Sequence, residues 1–169
     1  MEQHVNLLPD DLIELAERVV RENRAAGRTI ALAESCTGGL VAAALTEIPG
    51  SSAVLDRSLV TYSNEAKQQL LGVSRDIIDT FGAVSIACAW AMAQGALTRS
   101  QADVVVAISG IAGPDGGSAQ KPVGTVVFAR AIKGEDEEAI VAEERHFEVP
   151  DRAGVRHQAA LVALELLLP

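Results

Sequence analysis

Behind Pro9-Asp10-Asp11, the apolar residues Leu12, Leu15, Ala16 and Val19 recur at helical spacing and Gly27 closes the run, which predicts an amphipathic helix over residues 11–26. The short apolar stretch 29–33 then predicts a strand, interrupted by Glu34-Ser35-Cys36-Thr37-Gly38-Gly39 before a helical run over 40–48. After Pro49-Gly50-Ser51-Ser52, a second strand is expected over 53–62, followed from Ser63-Asn64 by a helix that carries Lys67 and stops at Gly72. A short helix over 75–81 and an alanine-rich buried helix over 85–99 come next. Val104-Val105-Val106-Ala107-Ile108 is a continuous apolar run of the kind a strand covered on both faces shows. It ends in the turn-rich stretch 109–117. Residues 123–131 and 140–149 read as two strands joined by the charged turn Lys133-Gly134-Glu135-Asp136-Glu137, hence an antiparallel pair. A last helix begins near Arg152, with Val155, Ala159, Val162 and Leu166 on one face. This order predicts an α/β fold, a single-domain three-layer α/β/α sandwich with a mixed sheet over residues 1–169.

If the first three strands are parallel, the exits at 34–39, 62–67 and 109–117 share one sheet edge. Ligands of open α/β sheets bind in the crevice outside the carboxyl ends of the strands, so the pattern predicts one site assembled from three loops.

Composition narrows what that site handles. The chain has 169 residues, 14 Lys+Arg against 23 Asp+Glu and a net charge of −9, with 3% aromatic residues. Nucleic acid requires basic grooves and stacking platforms, so it is not expected as a partner. Any phosphate on a small substrate must be held by local donors, because the overall field repels it. The two cysteines, Cys36 and Cys88, form neither a disulfide framework nor a metal cluster, which suggests a reducing compartment. The amino-terminal stretch has no basic start and is not read as a secretory signal, and the helical part of the charge-free run 80–98 is too short to span a bilayer. A cytoplasmic protein without membrane attachment is expected; a homo-oligomer stays open.

Ser35 stands where a strand turns into a helix starting Thr37-Gly38-Gly39. Such a turn exposes the hydroxyl, and unpaired N–H groups at the helix start can hold an oxyanion or phosphate. The same residue types also cap helices, and the stretch does not match GxSxG. Cys36 is the rival nucleophile, although no cation stands beside it in sequence. None of His4, His146 and His157 lies in the three loops. Lys67 can act as a base if burial or a helix dipole lowers its pKa, and the phenol of the only tyrosine, Tyr62, five positions earlier, would relay or hold a proton if it lies near both. A solvated helix lysine and a half-buried strand tyrosine fit those two positions as well. Residues 109–117 could cradle a phosphate through backbone N–H groups. Arg152 and Arg156, one helical turn apart, could present two guanidinium groups to an anion or form a solvated face with Asp151. No metal-spaced His/Asp set or carboxylate pair appears, so metal hydrolysis has no support and no cofactor is expected.

Taken in order, Ala33-Glu34-Ser35-Cys36-Thr37-Gly38-Gly39, Val60-Thr61-Tyr62-Ser63-Asn64-Glu65-Ala66-Lys67, Gly82-Ala83-Val84-Ser85, Ser109-Gly110-Ile111-Ala112-Gly113-Pro114-Asp115-Gly116-Gly117 and Lys121-Pro122-Val123-Gly124-Thr125-Val126 resemble the CinA C-terminal domain family. Five ordered motifs covering about residues 8–167 make the resemblance specific. It implies deamidation of nicotinamide mononucleotide to nicotinate mononucleotide and ammonia, in pyridine nucleotide recycling. The family roles fall on Ser35, Tyr62 and Lys67, with Thr37, Gly38, Gly39, Ser109, Gly110, Gly113, Arg152 and Arg156 expected around the substrate. The separate N-terminal domain of longer CinA proteins is absent, which favours a stand-alone enzyme. Ile86 departs from the pattern, since relatives often carry Glu there. The competing readings are a non-catalytic nucleotide-binding or regulatory module and a hydrolase of a related amide.

Overall fold

The structure, a computed structural model, describes residues 5–169, so His4 lies outside the described residues. Helix α1 (Asp10–Ala25) starts behind Pro9 with two acids in its first turn, where they complement the helix dipole. Strand β1 (Ile30–Glu34) is buried along its whole length and leads into the turn before α2 (Leu40–Thr46). The strand expected over 53–62 is shorter, because Ser51–Ala53 form a 3-10 turn and β2 covers only Leu55–Val60. Ser63, Ser74 and Ser85 then cap three successive helices, α3 (Asn64–Leu71), α4 (Arg75–Phe81) and α5 (Ile86–Thr98), each through its side-chain oxygen. Strand β3 (Val104–Gly110) follows, then β4 (Thr125–Ile132), β5 (Val141–His146) and α6 (Arg152–Leu166). Strand β5 stops three residues short of the expected end, with the Phe147 N–H bond to the Gly124 carbonyl as the last cross-link between the two segments.

The strand order is β2-β1-β3-β4-β5. β1 pairs in parallel with β2 and β3, and β4 is antiparallel to both its neighbours, giving the expected mixed sheet. Glu34 is in register with both Val60 and Ile108, so β1 and β2 end level, β3 runs two residues further, and the three exit loops meet at one edge.

Alternation along the central strands fills two cores. Ile30, Leu32, Val104, Val106, Val126 and Phe128 pack under α1, α2 and α6. Ala31, Ala33, Val105, Ala107, Val127 and Ala129 face α3, α4 and α5. The second face is lined by small residues, and α5 answers with Ala89, Ala93, Gly95 and Ala96. A Cβ on Gly95 would run into the Leu71 backbone, so only glycine lets α5 approach α3 this closely. That approach seats α3, and with it Lys67, against the sheet. On α6, Leu166 is half-buried, while Ala163 and Leu164 join Val155, Ala159 and Val162 in the core.

Candidate active site

Lys67 sits one turn into α3, whose start is set by the Ser63 cap. The side chain is 1% exposed, the bulkiest of the fully buried residues. Its Nζ lies 2.9 Å from Ser35 Oγ, 2.9 Å from the Thr61 carbonyl and 3.2 Å from the Tyr62 carbonyl. Burial holds the amine below its ordinary value, since removing water penalises the ammonium. The stoichiometry matters. The three acceptors take the three donors of the ammonium; when it loses a proton, two N–H groups can stay on the carbonyls and the lone pair then faces the Ser35 hydroxyl.

Ser35 is buried at the end of β1, its N–H donating to the Ile108 carbonyl. Among the described residues, neither the Cys36 nor the Thr37 N–H donates to a protein oxygen. Of the two residues only Cys36 borders the cavity over Ser35, and a free N–H directly after the serine can stabilise a tetrahedral oxyanion. Cys36 is a poor rival for the nucleophile. It is buried, and burial pushes its thiol up to about 11, so the thiolate is scarce at neutral pH.

A cavity of about 270 Å³ opens over this pair, lined by Ser35, Lys67, Tyr62, Ser109, Gly110 and Arg152. A larger one, about 440 Å³, lies between α1 and the end of α2 at Arg21, Arg24 and Pro49, and contains none of the residues that could perform chemistry on an amide. Among the described residues no group of His, Cys, Asp or Glu is placed to hold a metal ion.

Tyr62 meets the Ser–Lys pair through its backbone. Its hydroxyl instead accepts from Arg152 Nη2 at 3.0 Å, and among the described residues no hydrogen bond joins that hydroxyl to Ser35 or Lys67. The expected proton relay through the phenol is therefore not drawn by the geometry. Arg152 also donates to the Gly113 carbonyl at 2.7 Å and so bridges two walls of the cavity. Arg156, one turn further, points elsewhere: Nε and Nη2 donate to the Cys36 and Thr37 carbonyls at 3.0 and 3.1 Å. It braces the serine turn and does not line the cavity. Asp151 pairs with neither arginine; it caps α6 by accepting from the Gly154 N–H.

The remaining expected residues divide in the same way. Ser109 and Gly110 line the cavity, and Ser109 Oγ donates to the Ala83 carbonyl. Thr37, Gly38, Gly39 and Gly113 do not line it. The Thr37 hydroxyl and the first N–H groups of α2 are occupied by Glu34, so the α2 start is closed to a phosphate. His146 meets the Val123 carbonyl and His157 meets Asp11, both away from the cavity. Ile86, the first residue of α5, is half-exposed and does not line the cavity either. Asn64, Ala83 and Val84 do line it and were not singled out as site residues from the sequence. For Asn64, its place two positions after Tyr62 and three before Lys67 was the available signal.

Comparison with known proteins supplies the family. The model of the CinA C-terminal domain matches residues 12–169. The nicotinamide-nucleotide amidohydrolase PncC of Enterobacter agglomerans is 50% identical over 157 residues, 93% of each chain. A putative competence-damage inducible protein of Symbiobacterium thermophilum is 52% identical over 145 residues, and this chain spans only 34% of its length. The crystal structure of the competence/damage inducible protein CihA from Agrobacterium tumefaciens superposes with a TM-score of 0.91 at 47% identity, covering 96% of this chain and 97% of that one. With four of the five motifs lining one Ser–Lys cavity, this chain belongs to the CinA C-terminal domain family.

Proposed function

We propose that this chain is an amidohydrolase that converts nicotinamide mononucleotide to nicotinate mononucleotide and ammonia, with Ser35 as nucleophile and Lys67 as the proton-transferring group. The single observation that carries the reading is the buried Lys67 amine held between two carbonyls and the Ser35 hydroxyl. Desolvation lowers the pKa of this amine and so favours the neutral base that a serine needs. Ser35 Oγ attacks the carboxamide carbon and its proton passes to Lys67 Nζ. The resulting oxyanion is received by the Cys36 N–H. Lys67 then protonates the amide nitrogen, the C–N bond breaks and ammonia leaves. Water attacks the acyl-enzyme, giving one proton to Lys67, which returns it to Ser35 Oγ as the carboxylic acid departs and loses its remaining proton to solvent.

The phosphate end of the substrate is assigned to the Arg152 side of the cavity, with Ser109 and Gly110, because Glu34 already occupies the α2 start. Tyr62, exposed at the mouth, serves as a wall that the Arg152 contact holds in place. The amidohydrolase named among the relatives supports the substrate class. Two free buried cysteines fit a reducing cytoplasm, and no helix among the described residues is long and apolar enough to cross a membrane. The reaction would return deamidated mononucleotide to pyridine nucleotide recycling. A non-catalytic nucleotide-binding module would have no use for a desolvated amine facing a hydroxyl.

The test is ammonia release from nicotinamide mononucleotide compared with free nicotinamide. Turnover of the mononucleotide with little on the free amide supports the reading; turnover of the free amide alone, or of neither, overturns it.

A further inference from the structure

Glu34, the residue before the proposed nucleophile, is completely buried. Its Oε1 accepts from the Thr37 hydroxyl at 2.8 Å and the Val41 N–H at 3.0 Å. Its Oε2 accepts from the Ala42 N–H at 3.2 Å and the Ser58 hydroxyl at 2.8 Å. The donors belong to three different pieces of chain: the turn after β1, the first turn of α2 and the edge strand β2. Helix α2 begins at Gly39, which has no side chain to cap it, so the strand carboxylate performs the capping from outside the helix.

The turn held in this way is intrinsically loose. Gly38 and Gly39 are consecutive and both left-handed, at φ 59° and 98°. A diglycine step has several backbone states of similar energy, and something must select one of them. Thr37 is fixed by its hydroxyl to Glu34 and by its carbonyl to Arg156. The neighbouring Cys36 N–H, the proposed oxyanion donor, takes its direction from those two anchors and from the Arg156 bond to the Cys36 carbonyl.

We propose that Glu34 is a positioning residue for the deamidation: its carboxylate locks the 36–42 turn so that the Cys36 N–H and the Ser35 hydroxyl stand together against Lys67. This rests on the Ser35 reading above. Four-fold acceptance is what a carboxylate can do and an amide cannot. In Glu34→Gln the new NH2 group would face the Val41 or the Ala42 N–H, donor against donor, and whichever orientation it takes leaves one helix N–H unpaired. The side chain keeps its volume, so the change is in hydrogen bonding and charge alone.

The experiment compares wild type, Glu34→Gln, Glu34→Asp and Ser58→Ala in the full chain. It measures kcat and KM for nicotinamide mononucleotide, thermal unfolding, and amide hydrogen exchange at residues 36–42. Misplacing catalytic donors by about an ångström costs on the order of 10²-fold in rate, so kcat of folded Glu34→Gln is expected to fall by about that factor, with KM within about threefold. Exchange at 36–42 is expected to quicken while the central strands stay protected. Ser58→Ala, which leaves both α2 N–H contacts in place, is expected near wild type. Unchanged kcat and exchange in folded Glu34→Gln would overturn the proposal, as would a loss matching only the unfolded fraction. If Glu34→Gln does not fold, Glu34→Asp, which keeps the charge with a shorter reach, decides by the same readouts. If wild type releases no ammonia, the deamidase reading fails, and exchange at 36–42 alone decides whether Glu34 holds the turn.

Discussion

Lys67 Nζ and Ser35 Oγ, 32 positions apart in sequence, lie 2.9 Å from one another in a pocket that excludes water from the lysine. Two backbone carbonyls hold the other side of the amine. In the proposed mechanism this aims a general base without any histidine, and the reactivity of the pair then depends on the lysine losing its proton.

Lys67→Arg separates proton transfer from positive charge, since a guanidinium does not deprotonate in proteins. The folded variant is expected to lose about 10²–10⁴-fold in kcat, the usual worth of general acid–base catalysis. Ser35→Ala should abolish turnover while nucleotide binding, followed by calorimetry, persists. In the wild type, kcat/KM should fall as pH drops through the lowered Lys67 pKa, because protonation removes the base.

Lys67 also leaves a signature in stability. Its folded pKa lies below the ordinary 10.5, so between those two values the unfolded chain binds more protons than the folded one. Stability contributed through this group therefore rises with pH across that window and is at its lowest below the folded pKa. Thermal unfolding of wild type against Lys67→Met, from pH 6 to pH 10, should show the difference moving in favour of wild type as pH rises. A flat difference would mean that the lysine is not desolvated.

Cys36→Ser is expected to keep most of its activity. The buried thiol is pushed up to about 11, and its backbone N–H and carbonyl, which the substitution retains, are the parts that serve the site. Loss of all turnover in a folded Cys36→Ser, with Ser35→Ala active, would assign the nucleophile to the neighbour.

The two arginines should differ in kind. Arg152 lines the cavity and bridges Gly113 to Tyr62, so Arg152→Ala is expected to raise KM for the mononucleotide more than it lowers kcat. Arg156 braces the carbonyls of Cys36 and Thr37, so Arg156→Ala should lower kcat with a smaller change in KM. Charge-assisted bonds of this kind are each worth about 1.5–3 kcal/mol, so Arg156→Ala should also lower the melting temperature. Steady-state kinetics on the two variants checks the division.

The layered α/β fold was legible in the sequence because its signals are local. The apolar run at 104–108 and the helical spacing after Pro9 are set by which side chains can face a core over a few residues, and serines at 63, 74 and 85 mark helix starts that neighbouring N–H groups dictate. The meeting of three loops at one sheet edge followed from parallel strands, and the motif order carried the family. What the side chains do at that edge was decided by tertiary structure, because it depends on distance through space and on exclusion of water. Sequence could not show that Lys67 is buried against Ser35 and not solvated, that Tyr62 offers its carbonyl to the amine and its hydroxyl to Arg152, or that Arg156 turns toward the serine loop while Arg152 faces the cavity. Glu34 read only as a polar residue ending a strand. Its four donors come from segments up to 24 residues away, and only the packed sheet and helix bring them to one carboxylate.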